Sequence, residues 1–87
     1  MKIWGRMVEN NHLLKDMTVT DDSNDTRTHK IFRAIEEICG EFDIVVPVWL
    51  DSNIRDFKRH KKVRFTRDNF VGEAVDFDYL EILILEE

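Results

Sequence analysis

Apolar residues gather in short runs toward both ends of the chain and recur every three or four residues near its middle. This pattern predicts strands flanking a helical centre. Residues 2–8 (KIWGRMV) and 12–20 (HLLKDMTVT) are rich in β-branched and large apolar side chains and read as two strands. Asn10-Asn11 between them suits the positive φ angles of a two-residue hairpin turn. Such a loop sets Glu9 opposite His12, Val8 opposite Leu13, Met7 opposite Leu14 and Trp4 opposite Met17, which leaves apolar and polar side chains mixed on both faces.

The polar break 21–25 (DDSND) ends in Asp25, whose carboxylate suits the N-terminus of a helix. From Thr26 onward Ile31, Phe32, Ile35, Ile38, Cys39 and Phe42 fall in one stripe at helical spacing, and Gly40 reads as the stop. The run 44–50 (IVVPVWL) contains the only proline, Pro47, so an edge strand or an extended connector is expected there. Asp51 or Ser52 then caps a short helix near 53–60, with Ile54 and Phe57 facing inward.

Residues 61–67 (KKVRFTR) and 75–85 (VDFDYLEILIL) read as two further strands. Pairing Val63 with Tyr79 and Phe65 with Phe77 collects aromatics on one face. The same register sets Arg64 against Asp78, Thr66 against Asp76 and Lys61 against Glu81. Beyond this pairing Leu80, Ile82 and Ile84 project to one side of the last strand, Leu83 and Leu85 to the other. A strand apolar on both faces is usually central and covered on both. One helix covers one face, so the 44–60 segment or a second copy of the chain is expected on the other. The whole is expected to be one α+β domain spanning 1–87. A mostly antiparallel sheet of four or five strands carries one main and one short helix, in the order ββα(α)ββ.

Charge changes this picture more than composition does. The chain is 43% apolar and 36% charged, the balance of a soluble globular domain, with a formal net charge of −5. Residues 1–54 carry a net −4. Residues 55–67 hold Arg55, Lys58, Arg59, Lys61, Lys62, Arg64 and Arg67 against Asp56 alone, and residues 68–87 hold seven acids and no base. The simpler reading makes the last two zones neighbouring strands that neutralise one another. The competing reading makes 55–67, interleaved with Phe57, Phe65 and Phe70, a nucleic-acid surface in which cations meet phosphates and a phenylalanine stacks on a base.

Candidate catalytic chemistry is sparse. His12, His29 and His60 share no metal-ligand spacing, and three surface histidines are expected. Cys39 is expected to be a small buried hydrophobe, and as the only cysteine it permits no internal disulfide. The acidic loop 21–25 lacks the glycine and the terminal glutamate of a calcium-binding EF-hand. Three glycines in all make no phosphate-cradling loop. No apolar run approaches the roughly 20 residues of a membrane span, and the N-terminus carries no signal-peptide pattern, so a cytoplasmic location is expected.

The stretches MKIWGRMVENNHLLKD, DDSNDTRTHKIFRAIEEIC and VWLDSNIRDFKRHKKVRFTRDNF resemble a group of small uncharacterised bacterial proteins. The resemblance implies a bacterial, cytoplasmic, free-standing protein and no particular site. The leading functional expectation is a non-enzymatic interaction or assembly module without a cofactor, acting on a protein partner or a second copy of itself. Its surface is expected to combine the basic segment 58–64 with the last strand: Lys58, Arg59, Lys61, Lys62, Arg64, Arg67, Leu80, Ile82 and Ile84. Nucleic-acid association through the same cations is the alternative, and an enzyme comes third.

Overall fold

The computed structural model describes residues 1–87. Its elements run β1 (Lys2–Glu9), β2 (His12–Thr20), α1 (Arg27–Phe42), α2 (Asp51–His60), β3 (Lys62–Thr66) and β4 (Tyr79–Glu86), with a single 3-10 turn at Arg67–Asn69. The four strands form one antiparallel sheet in the order β2-β1-β4-β3. The fold is the expected α+β sandwich, with four strands rather than five because 44–50 forms none.

The hairpin turns as its sequence predicts, through Asn10 and Asn11 at φ angles of 50° and 64°. Glu9 faces His12 and Val8 faces Leu13, but then the register slips by one and Met7 faces Lys15. Leu14 is thus the extra residue of a β-bulge. The slip corrects the expected Met7–Leu14 and Trp4–Met17 pairs and unmixes the faces. Ile3, Gly5 and Met7 now share the inner face with Met17 and Val19, while Trp4 and Arg6 lie outside with Thr18 and Asp16.

Helix α1 buries Ile31, Ala34, Ile35, Ile38, Cys39 and Phe42 against that inner face. Its cap is Thr26, whose hydroxyl accepts from the His29 amide at 3.2 Å, not Asp25. Gly40 does not stop the helix; it sits exposed in the last turn. Asp43 ends it instead, in the left-handed region at φ 57°, with its amide donating to the Cys39 and Gly40 carbonyls. The glycine that matters for packing is Gly5 in β1. A β-carbon there would lie 2.7 Å from Ile38 Cδ1, so the bare backbone is what lets the helix sit this close to the sheet.

The last two strands pair, but three residues away from the expected register. Val63 faces Ile82, Phe65 faces Leu80, Arg64 faces Glu81 and Thr66 faces Tyr79. Strand β4 begins only at Tyr79. Phe77 stays in the preceding loop, edge-on to Phe70 with ring centroids 5.4 Å apart. The odd slip turns Leu80, Ile82 and Ile84 onto the inner face beside Val63 and Phe65, where all five are buried in the core. The three aliphatic residues expected to contribute to an interaction surface are therefore unavailable to one; the helical layer of the same chain covers them. Tyr79, Glu81, Leu83 and Leu85 face the opposite side, which no helix covers.

Candidate interaction surface

Of the seven cations between 55 and 67, three are paired. Lys61 meets Glu87 at 2.7 Å, Arg64 meets Glu81 at 2.7 Å and Arg67 meets Asp78 at 3.4 Å. Arg55, Lys58, Arg59 and Lys62 make no ion pair. The neutralisation expected between neighbouring strands thus reaches Arg64 through Glu81 rather than Asp78, and leaves Arg55, Lys58 and Arg59 exposed on α2 together with Asp51 and Asp56. The phenylalanines that interleave with these cations, Phe57, Phe65 and Phe70, are all buried. No phenylalanine of the basic run is free to stack on a base.

The segment after α1 is built by a pair of buried asparagines. Asn53 Oδ1 accepts from the Leu50 amide at 2.9 Å, and Asn53 Nδ2 donates to the Arg64 carbonyl at 3.3 Å. Asn69 Oδ1 accepts from the Thr66 amide at 2.9 Å, and its Nδ2 donates to the Val48 carbonyl at 2.7 Å and to Asn53 Oδ1 at 2.8 Å. The Asn69 carbonyl in turn accepts from the Val48 amide at 2.7 Å. Two of these bonds take up the Arg64 carbonyl and the Thr66 amide on the free edge of β3, where a fifth strand would otherwise pair. They also hold residues 44–50 extended without any strand partner. Pro47 and Trp49 turn inward, while Val46, Val48 and Leu50 stay about half exposed.

Between this segment and the two helices lies an apolar cleft of about 290 Å³, walled by Ile31, Phe32, Trp49, Ile54 and Phe57. Trp49 stands edge-on to Phe65, Phe57 and Phe32 at centroid distances of 4.9, 5.5 and 6.2 Å. The aromatic floor is therefore continuous with the core. Phe32 is 47% exposed and Ile54 40%. Arg27 and Lys58 complete the lining, and no carboxylate belongs to it. Arg27 lies over the Phe57 ring at 5.8 Å and donates to Glu87 at 2.6 Å. Gripped by both Lys61 and Arg27, the Glu87 carboxyl is held down at a pKa of about 2.

Arg27, Phe32, Trp49 and Ile54 were not expected as site residues. Phe32 and Ile54 read as inward-facing positions, and Trp49 as packing. A signal was present: Phe32 lies about 80° from the centre of the α1 stripe at 100° per residue, too far round to be sealed by the sheet.

The uncovered sheet face carries a second polar constellation. Glu81, 2% exposed, accepts from Arg6 Nε on β1 and Arg64 Nε on β3, each at 2.7 Å. Burial pushes this carboxyl up, but the bonds from Arg64 and Arg6 outweigh it and leave its pKa below the usual range. Arg6 stacks on Trp4 at 5.1 Å and Arg64 on Tyr79 at 4.4 Å. The two arginines thereby roof the carboxylate and stitch three strands together.

The remaining sequence candidates stay apart. Arg33 forks across Asp21 at 2.6 Å and Asp25 at 2.9 Å, and His29 Nδ1 meets Asp25 at 2.9 Å, so the acidic loop is filled by its own chain. His12 is exposed at the start of β2 and His60 at the end of α2. Cys39 is buried, and burial pushes its thiol up to about 11. No group of three His, Cys, Asp or Glu side chains is placed to hold a metal ion. No helix is long and apolar enough to cross a membrane. Compared with known protein families, curated proteins and solved structures, the chain matches none.

Proposed function

We propose that this protein is a small, non-enzymatic, cytoplasmic interaction module that acts through protein contacts made at the α1–α2 cleft. One observation carries the reading. Phe32 and Ile54 stand 47% and 40% exposed around an aromatic slot, flanked by the half-exposed Val48 and Leu50. A monomeric surface rarely keeps large apolar side chains together unless they meet something. The volume suits one or two anchoring side chains of a partner and lies at the lower end of the range of clefts that enclose a drug-sized ligand. Well-packed apolar anchors seated in such a slot typically dominate an interface, with a polar rim around them.

A photoreactive amino acid placed at position 32, and separately at position 18 on the opposite face, tests this in the native cells. The expected result is a discrete protein adduct at 32, whether with a second copy or another chain, that Ile54→Asp removes and that position 18 never forms. No adduct at 32, or the same adducts at both positions, would overturn the reading.

A further inference from the structure

We infer that the occupant of the cleft is an acidic amphipathic segment of a partner protein, and that the chain's own Glu87 competes with it for Arg27. This deepens the proposed docking role and rests on it. The rim selects such a segment by charge complementarity. Five apolar side chains line the slot, and the only charged groups in the lining are Arg27, which Glu87 holds at 2.6 Å, and Lys58, which makes no ion pair. The exposed side of α2 adds Arg55 and Arg59, neither of which makes an ion pair, against the exposed Asp51 and Asp56. A basic segment would meet more cations than acids along this rim, with Arg27, Arg55, Lys58 and Arg59 against Asp51, Asp56 and Glu87. An acidic one would find Lys58, Arg55 and Arg59 unpaired, at a location where apolar anchors are already accommodated.

Glu87 shows what the rim accepts. Its carboxylate takes 2.6 Å and 2.7 Å contacts from Arg27 and Lys61, and Arg27 is at once a wall of the slot and a cover over Phe57. A partner carboxylate arriving at Arg27 must displace this internal one. Removing the Glu87 charge should therefore free Arg27 and tighten binding, while leaving the apolar slot untouched. A module built this way discriminates partners by charge on its rim and by shape in its slot.

The test is a display selection with the whole protein. The library consists of helical 16-residue peptides with large apolar residues at i, i+4 and i+7 and randomised polar positions. The expected winners are acidic at the randomised positions, lose binding at least tenfold on Phe32→Asp, weaken about three- to tenfold on Arg27→Gln or Lys58→Gln, and tighten two- to fivefold on Glu87→Gln. Their affinity should fall as salt rises. Winners that are neutral or basic, yet still lost on Phe32→Asp, would sink the acidic-partner inference and leave the docking role standing. Winners unaffected by Phe32→Asp, or none at all, would sink both. A single-stranded oligouridylate binding regardless of Phe32→Asp would reassign the rim to nucleic acid and overturn the inference as well. Each variant's fold is checked by circular dichroism, and Phe32→Ser substitutes if the aspartate unfolds the domain.

Discussion

The buried Asn69 invites the sharpest perturbation, because its side chain joins two segments distant in sequence and the cleft wall depends on one of them. Asn69→Ala removes the acceptor for the Thr66 amide and the donor to the Val48 carbonyl, and Asn53 Oδ1 keeps only its bond from Leu50. A buried polar group left without a partner costs about 1–3 kcal/mol. Thr66 and Val48 are exposed enough for water to reach them in part, so two such groups amount to about 2–4 kcal/mol. That is a large share of the stability of a domain this size, roughly 4–13 kcal/mol. Asn69→Asp is the more telling change. At neutral pH its carboxylate can still accept from Thr66, but its other oxygen then faces two acceptors where the amide held them at 2.7 and 2.8 Å. The new carboxyl therefore has a folded-state pKa raised above its ordinary value of about 3.9. The protonated form is the stabilising one, so its benefit is present below that ordinary value and is lost as pH rises through the folded-state pKa. Urea denaturation at pH 4.5 and pH 7, followed by circular dichroism, should show the deficit relative to the parent growing with pH. Hydrogen exchange at the Val48 amide should accelerate in both variants. A loss below about 0.5 kcal/mol for Asn69→Ala, or a deficit for Asn69→Asp that shrinks as pH rises, would refute the assigned network.

Three other outcomes follow from the same geometry. Gly5→Ala should overpack the contact with Ile38 and cost about 1–3 kcal/mol, lowering Tm by roughly 4–8 °C for each kcal/mol lost; calorimetry that shows no change would mean the helix can shift away freely. Glu81→Leu should cost about 2 kcal/mol by releasing two charge-assisted bonds; a double-mutant cycle with Arg64→Met should give a coupling of at least 0.5 kcal/mol, and additivity would deny the bridge between strands. The carboxyls of Asp25 and Glu87 are held at about 2 and that of Asp21 also lies below its usual range, through His29, Lys61 and Arg33 respectively with their neighbouring bonds. Because these pKa values are depressed, the stability they contribute is present above about pH 4 and is lost as pH falls through them; Arg33→Met should flatten the acid-unfolding curve between about pH 4 and 2, which titration by circular dichroism checks.

The elements themselves were legible because their signals are local. Paired asparagines set the hairpin, a three- and four-residue repeat marks α1, and Pro47 keeps 44–50 out of the sheet. The register of β3 on β4 was not legible, and the reason lies in LEILIL. With apolar residues at both parities, the alternation that normally chooses a face says little, and Asp76-Phe77-Asp78 offered an equally regular partner for Val63 and Phe65. The bulge at Leu14 was hidden for a related reason, since only packing against α1 rewards the slip that brings Met17 and Val19 onto the side of Ile3, Gly5 and Met7. The cleft is still further from the sequence. It exists because Asn53 and Asn69, unremarkable polar residues in a string, meet across 16 positions and hold Trp49 between two helices.

What the linear chain decided alone was therefore the inventory: which stretches extend, which coil, and where opposite charges are stored. Tertiary structure decided which apolar side chains are spent in the core and which remain outside. It placed Leu80, Ile82 and Ile84 in the core shared with the helices and left Phe32 and Ile54 at the surface. The physical reason is that burial depends on pairing partners far away in sequence, and a one-residue change in pairing exchanges the two faces of a strand.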